Sequence, residues 1–205
     1  MGPMTQPRKT AVKKTAPTKR CPWPGEEDRL MVAYHDREWG KPLRDDRRIF
    51  EFLILEAFQA GLSWRTILHK RENFRKAFRG FDVRKVARFG AKDRSRLMKD
   101  AGIVRNRAKI KATIENAKRF LEVQKEFGTF SKYMWSWVGG QPLVHRFRRL
   151  KDYPAVIPVA EIWAKDLKQR GFKFLGPTVI YAHMQATGMV NDHTVDCFRH
   201  RQLLK

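Results

Sequence analysis

Two cysteines and two histidines stand near the ends of the chain: Cys21 with His35, and His193 with Cys197. Thiolate sulfur and imidazole nitrogen are donors that Zn²⁺ prefers, and two of each complete a tetrahedral shell. His193-Thr-Val-Asp-Cys197 is an i, i+4 pair, which on a helix projects both side chains from one face. The step from Cys21 to His35 is unlike a zinc-finger knuckle. Spacing alone therefore leaves a second reading open, two inert buried thiols and two ordinary histidines. With all four positions filled by protein, a bound metal would be structural and would clip the N-terminal segment to a C-terminal helix.

A second candidate is a carboxylate on an apolar stripe. Ile49, Leu53, Glu56 and Ala60 follow helical spacings of four, three and four, with Phe52 beside them. Glu56 should therefore point inward, where a carboxylate either finds hydrogen-bond donors or accepts a raised pKa. The competing reading puts Glu56 at the stripe's edge, reaching water. Gln59-Ala60-Gly61-Leu62-Ser63-Trp64 follows as a tight helix-breaking turn beside a large aromatic, and Trp23, Tyr34 and Trp39 precede it. Aromatics in such numbers usually build core. Aromatic faces beside a buried acceptor are also what a pocket for a flat cationic base requires.

The third is a glycine-bearing connection, Lys168-Gln-Arg170-Gly171-Phe-Lys173-Phe-Leu-Gly176-Pro177-Thr178. Proline suits the first turn of the helix it opens. A turn feeding a helix N-terminus presents backbone N–H groups to a phosphate, with Arg170 and Lys173 adding charge. Many helix connections contain glycine, so the signal draws its weight from the basic, helical chain around it.

That chain has 205 residues, 42% of them hydrophobic, with 44 Lys+Arg against 21 Asp+Glu, a net charge of +23. Two cysteines so far apart exclude a disulfide framework. No run approaches the roughly 18 apolar residues of a spanning helix, and no signal-peptide core opens the chain. A soluble intracellular protein with a polyanionic partner, nucleic acid first, is the expectation. Residues 1–20 hold six Lys/Arg and no acid, and read as a disordered basic arm. The remaining 38 bases and 21 acids leave +17 on the body (38 − 21), which should run over 21–200 before a short tail at 201–205.

The elements that must position these residues are helical nearly throughout. Asp45-Asp46 predicts the start of a helix reaching Ala60, and Asp82 caps one over 83–88. Further helices are predicted over 91–101, 105–127, 131–138, 159–170 and 177–187, with a short last one from about Asp192. Without hairpin turns or sustained alternation, the fold class is all-α.

Taken together, the motifs resemble the DNA-3-methyladenine glycosylase I family of the helix-hairpin-helix DNA glycosylase superfamily. The matching stretches include Arg20-Cys21-Pro-Trp23, Ala33-Tyr34-His35-Asp-Arg-Glu-Trp39-Gly40, Leu55-Glu56 through Trp64, Lys168 to Gly176, and Val190-Asn191-Asp192-His193. The resemblance runs from about residue 20 to 198. It implies a helix-hairpin-helix glycosylase fold with structural zinc on Cys21, His35, His193 and Cys197. It places Glu56 on the carboxylate that hydrogen-bonds the methylated base, with Tyr34, Trp64 and Trp23 around it. Gly61-Leu62 falls on the turn that plugs the gap left by the extruded nucleotide. Lys173, Gly176 and Thr178 fall in the hairpin that grips the phosphate backbone.

The activity so implied is release of 3-methyladenine from double-stranded alkylated DNA by a monomeric bacterial cytoplasmic enzyme, nucleoid-associated and without strand cleavage. A non-catalytic helix-hairpin-helix protein that binds damage is the alternative. Three departures stand near the candidate pocket: Met31 where many relatives have tyrosine, and Ala57 and Phe58 where they have glycine and glutamine. They predict a drier, differently shaped pocket. Asn191 occupies a position where most of the superfamily has aspartate, a difference the resembled family shares.

Overall fold

Helix starts are marked by side chains that accept hydrogen bonds from otherwise free backbone N–H groups. Asp28, Asp45, Ser63, Asp82, Asn106 and Thr129 each cap a helix in this way. In the computed structural model, which describes residues 18–204, the helices are α1 Arg29–Arg37, α2 Asp46–Gln59, α3 Trp64–Ala77, α4 Val83–Ala87 and α5 Ala91–Lys99. They continue as α6 Arg107–Phe127, α7 Phe130–Ser136, α8 Pro158–Gln169, α9 Pro177–Ala186 and α10 Phe198–Gln202. One parallel bridge joins β1 Leu143–Val144 to β2 Val190–Asn191. The fold is thus all-α with a single two-residue strand pair, and no helix among the described residues is long and apolar enough to cross a membrane.

α2 is the central element. Every residue of 49–58 is buried, so the helix carries an apolar surface on all sides rather than the stripe the spacing suggests. α3, α6, α7 and α9 pack around it. Phe50 meets Phe120 edge-on at 5.2 Å, and Phe120 stacks on Phe130 at 4.0 Å. Asp45 caps α2, while its neighbour Asp46 turns away to cap α7, accepting from Phe130 N and Ser131 N at 2.8 Å each. A second, smaller cluster of Cys21, Met31, Tyr34, Trp39, Phe52, Leu68, Ala186 and Cys197 seats the N-terminal segment against the C-terminal one. Their approach is close: a Cβ on Gly188, at φ +72°, would lie 2.4 Å from the carbonyl carbon of Lys41.

The expected last helix from Asp192 is a correction. Residues 192–197 form a turn, and α10 starts only at Phe198. Their backbone N–H groups bond elsewhere, Val195 N to Phe147 O at 2.9 Å and Cys197 N to Thr194 O at 2.8 Å. His193 and Cys197 therefore converge through that turn, not along one face of a helix. α1 and α3 are additions to the sequence reading. Of the basic arm, residues 1–17 lie outside the described residues. Lys19 and Arg20 are tied to the body: Phe198 N donates to Lys19 O, and the Arg20 guanidinium grips Asp36 at 2.9–3.0 Å.

One buried group sets an acid limit on this packing. His183 of α9 is fully buried with neither ring nitrogen hydrogen-bonded, and burial pushes its pKa down to about 3. The unfolded histidine titrates near ~6.5, so the stability tied to its neutral form is complete above that pH and is lost as pH falls toward 3. His183→Leu removes the constraint. Its fall in Tm between pH 7 and pH 4.5, followed by circular dichroism, is expected to be about 5–10 °C smaller than the parent's. An equal fall would show that the histidine is not the acid-sensitive group.

Candidate active site and metal cluster

α2 delivers Glu56 to the floor of a cavity of about 300 Å³. Trp23, Tyr34 and Trp39 line it from the N-terminal side, Gln59 and Trp64 from the turn after α2, Leu150 and Tyr153 from the segment before α8, and Ala182 and Gln185 from α9. Tyr34 and Trp64 stand 5.1 Å apart, and Trp23 meets Trp39 at 5.0 Å. Glu56 is 4% exposed, and burial raises its pKa to about 8. Burial, then the Glu56 charge, pushes the Tyr34 hydroxyl up as well, so it stays protonated. The indole N–H groups of Trp23 and Trp64 have no partner among the described residues. Such a slot offers flat faces and a carboxylate that has no cation beside it among the described residues. It suits a flat positive ligand, whose charge would restore Glu56 to its ionised form.

The structure brings Tyr34, Glu56, Trp64 and Trp23 together as the spacing and resemblance expected. Leu150, Tyr153, Ala182 and Gln185 escaped the sequence reading, because only the tertiary fold carries them to the cavity. Met31, Ala57 and Phe58 do not line it. Positions 57 and 58 lie about 100° and 200° around the helix from Glu56, and Phe58 packs instead on Phe74 at 4.8 Å. The expectation of a drier pocket through these substitutions is therefore corrected.

Gly61, at φ +81°, makes the turn at the end of α2 and leaves Leu62 43% exposed. Lys109 secures that turn from below, its Nζ donating to Phe58 O at 2.9 Å and Ala60 O at 2.6 Å. These are carbonyls that the helix end leaves unpaired. The 170–176 connection is braced by Asn116, which is buried. Its amide donates to Lys173 O at 2.9 Å and accepts from Lys173 N at 2.8 Å. Lys173, Gly176 and Thr178 are left exposed at the start of α9. From there α9 runs on to Ala182, about 9 Å along its axis by the rise of a helix.

Cys21, His35, His193 and Cys197 are all buried, and their ligand atoms lie within 4.8 Å of one another. Cys21 Sγ is 3.4 Å from His193 Nδ1, and Cys197 Sγ is 3.5 Å from both His35 Nε2 and His193 Nδ1. A tetrahedral ion with ordinary Zn–S and Zn–N bonds requires S···N edges of about 3.6 Å. The outer nitrogens are engaged in the manner of metal-binding imidazoles: His35 Nδ1 with Asp36 at 2.8 Å, His193 Nε2 with Trp39 O at 3.0 Å. The hydrogen bond between the sulfurs, with burial, pushes the Cys21 thiol up, while the same bond draws Cys197 down. Two buried sulfurs and two imidazole nitrogens in a closed N₂S₂ shell form a donor set suited to a divalent metal ion. Asn191 is buried next to His193, donating to His200 O at 3.1 Å and accepting from His193 N at 3.4 Å.

The model of the methyladenine glycosylase family matches residues 23–200. The DNA-3-methyladenine glycosylase of Haemophilus influenzae is 45% identical over 180 residues, 88% of this chain and 97% of its own. A crystal structure of 3-methyladenine DNA glycosylase I superposes with a TM-score of 0.85 at 46% identity, covering 88% of this chain and 98% of the other. The Staphylococcus aureus 3-methyladenine DNA glycosylase I, solved to explain 3-methyladenine recognition, gives 0.83 at 41% identity, covering 85% and 93%.

Proposed function

The chain belongs to the methyladenine glycosylase family, and on that premise we propose that it extrudes a damaged nucleotide from double-stranded DNA and releases 3-methyladenine by hydrolysis. Glu56 carries this reading: a buried carboxylate with no cation beside it, on the floor of an aromatic slot. Methylation at N3 makes the nucleotide's adenine cationic and weakens its bond to the sugar. Neutral bases bring no charge to Glu56, so the slot discriminates by electrostatics as well as shape. Tyr34 and Trp64 border the ring, and base–aromatic stacking of roughly 1–3 kcal/mol helps offset extrusion.

Water then adds across the N-glycosidic bond. Its oxygen joins C1′, the electron pair of the broken bond neutralises the purine, and its proton leaves to solvent. Ionised Glu56 stabilises the positive charge through the transition state. Among the described residues no lysine lines the cavity, and Lys109 is held by two carbonyls, so the enzyme acts without a Schiff base and leaves the strand intact. Gly61-Leu62 fills the gap in the stack, while Lys173, Gly176 and Thr178 hold the backbone as the hairpin of a helix-hairpin-helix unit. Zn²⁺ is the metal for Cys21, His35, His193 and Cys197, and it supplies cohesion rather than chemistry. The protein works as a monomer in the bacterial cytoplasm on nucleoid DNA. The arm at 1–20 adds salt-sensitive affinity to the folded body at 21–200.

Chromatography of the products from a methylated duplex tests this directly. Free 3-methyladenine should appear above the spontaneous background, with strands that break only on later alkali treatment. Tight binding to methylated duplex with no free base would favour a damage-binding protein instead.

A further inference from the structure

Between α7 and α8 the chain reads Val144-His-Arg146-Phe-Arg148-Arg149-Leu150-Lys151, with four cations in six positions and no acid among them. A run of this kind is often only a solvated loop. Here its backbone is fixed. His145 N donates to Asn191 O at 3.2 Å, and Phe147 O accepts from Val195 N at 2.9 Å. The N–H groups of Arg148 and Arg149 both bond Asp152, at 3.2 and 2.9 Å. The Phe147 ring packs on Tyr153 at 4.8 Å.

Buried Asp192 holds the segment from beneath. It accepts from His145 Nδ1 at 2.6 Å, from Gln185 Nε2 at 2.8 Å and from Tyr181, and the Tyr153 hydroxyl donates to its backbone carbonyl. With His145 and Phe147 turned inward, Arg146 and Arg148 are left exposed. Arg149 has one long contact to Asp152, at 3.4 Å. Arg146, Arg148 and Lys151 have no carboxylate at ion-pair distance among the described residues, whereas Arg119 and Arg170 are each paired twice. Leu150 and Tyr153 of the same segment line the cavity, so the stretch of chain that carries these cations forms part of its wall.

We propose that residues 146–151 form a phosphate-binding strap that grips the DNA strand beside the extruded nucleotide, separate from the 170–176 hairpin. This rests on the glycosylase reading of the cavity. A nucleotide that enters the slot carries its flanking phosphates to the rim, where the strap presents unpaired cations on a backbone already in place. Such preorganisation avoids the ordering cost that a floppy basic loop incurs. The strap is thereby coupled through Asp192 to Gln185 and Tyr153 in the cavity wall.

Each phosphate contact contributes about 0.9 to the slope of log K against log salt. For the triple variant Arg146→Ala, Arg148→Ala, Lys151→Ala, the slope should be shallower by about 2–3. The readout is fluorescence anisotropy on a duplex with a tetrahydrofuran abasic analogue, from 50 to 200 mM salt. At the upper salt concentration kcat/KM for base release should fall at least tenfold. Arg146→Lys with Arg148→Lys keeps the charge and should keep the parental slope. A parental slope in the alanine variant, or an equal loss in the lysine variant, overturns the strap. Failure of the parent itself to release base from methylated DNA would instead overturn the glycosylase reading.

Discussion

Glu56→Gln is expected to slow single-turnover release of 3-methyladenine by at least about 100-fold and, at the same time, to make the protein more stable. Both effects follow from one buried charge. Glutamine keeps the shape and an acceptor, but it cannot neutralise a cationic base in a site shielded from water. With a folded pKa of about 8 against an ordinary value of 4.5, the native state retains a proton that the unfolded chain releases. Stability from this group is complete below pH 4.5 and is lost as pH rises through 8, a cost on the order of 5 kcal/mol above that. The neutral variant escapes most of it. Its Tm should match the parent's near pH 5 and exceed it by roughly 10 °C or more at pH 8, by scanning calorimetry. Excision at the parental rate would remove Glu56 from the chemistry. A lower Tm at pH 8 would show that its carboxylate has compensating partners. Activity held at the expense of stability is common where a site needs an unsolvated charge.

Cys197→Ala should have the largest effect on the fold. A structural zinc site contributes free energy that the unfolded chain does not have, and losing one of four ligands should cost about 3–5 kcal/mol. At 2–4 °C per kcal/mol for a chain of this size, Tm should fall by roughly 6–20 °C. Bound zinc, measured by atomic absorption, should fall from one per chain to well below that. The consequences reach the cavity. His35 follows Tyr34 on α1, and His193 donates to the carbonyl of Trp39, so the Cys/His cluster supports two of the pocket walls. A variant with parental Tm, or a parent that purifies fully folded without metal, would show that the four side chains are ordinary core.

Much of the fold was legible because its signals are local. Asp45 and Asp82 mark helix starts, Gly61 and Gly128 mark stops, and the helices from Asp46 to Gln59 and Arg107 to Phe127 follow within two residues. The inward placement of Glu56 was also readable, although α2 is buried on every side and its pattern is a run rather than a stripe. What stayed hidden depends on contacts distant in sequence. The turn at 192–197 forms because Phe147 takes the bond of Val195, which helical periodicity cannot reveal. Tyr153 and Gln185 reach the cavity through Asp192, and Lys109 braces the Gly61 turn from a helix some fifty residues away in the sequence. The Cys/His cluster was half legible. Its residue types were plain, but its closure is a property of the assembled ends.

The pH dependence of kcat/KM for 3-methyladenine release from methylated duplex, measured from pH 6 to 9, bears most directly on the buried carboxylate. kcat/KM reports ionisations of the free enzyme, and in the mechanism proposed above the ionised form of Glu56 receives the cationic base. The parent should gain about tenfold per pH unit below 8 and level off above it, while Glu56→Gln remains low and flat. A parental profile that is flat across this range, or that falls as pH rises, would contradict a cation-selecting role for Glu56.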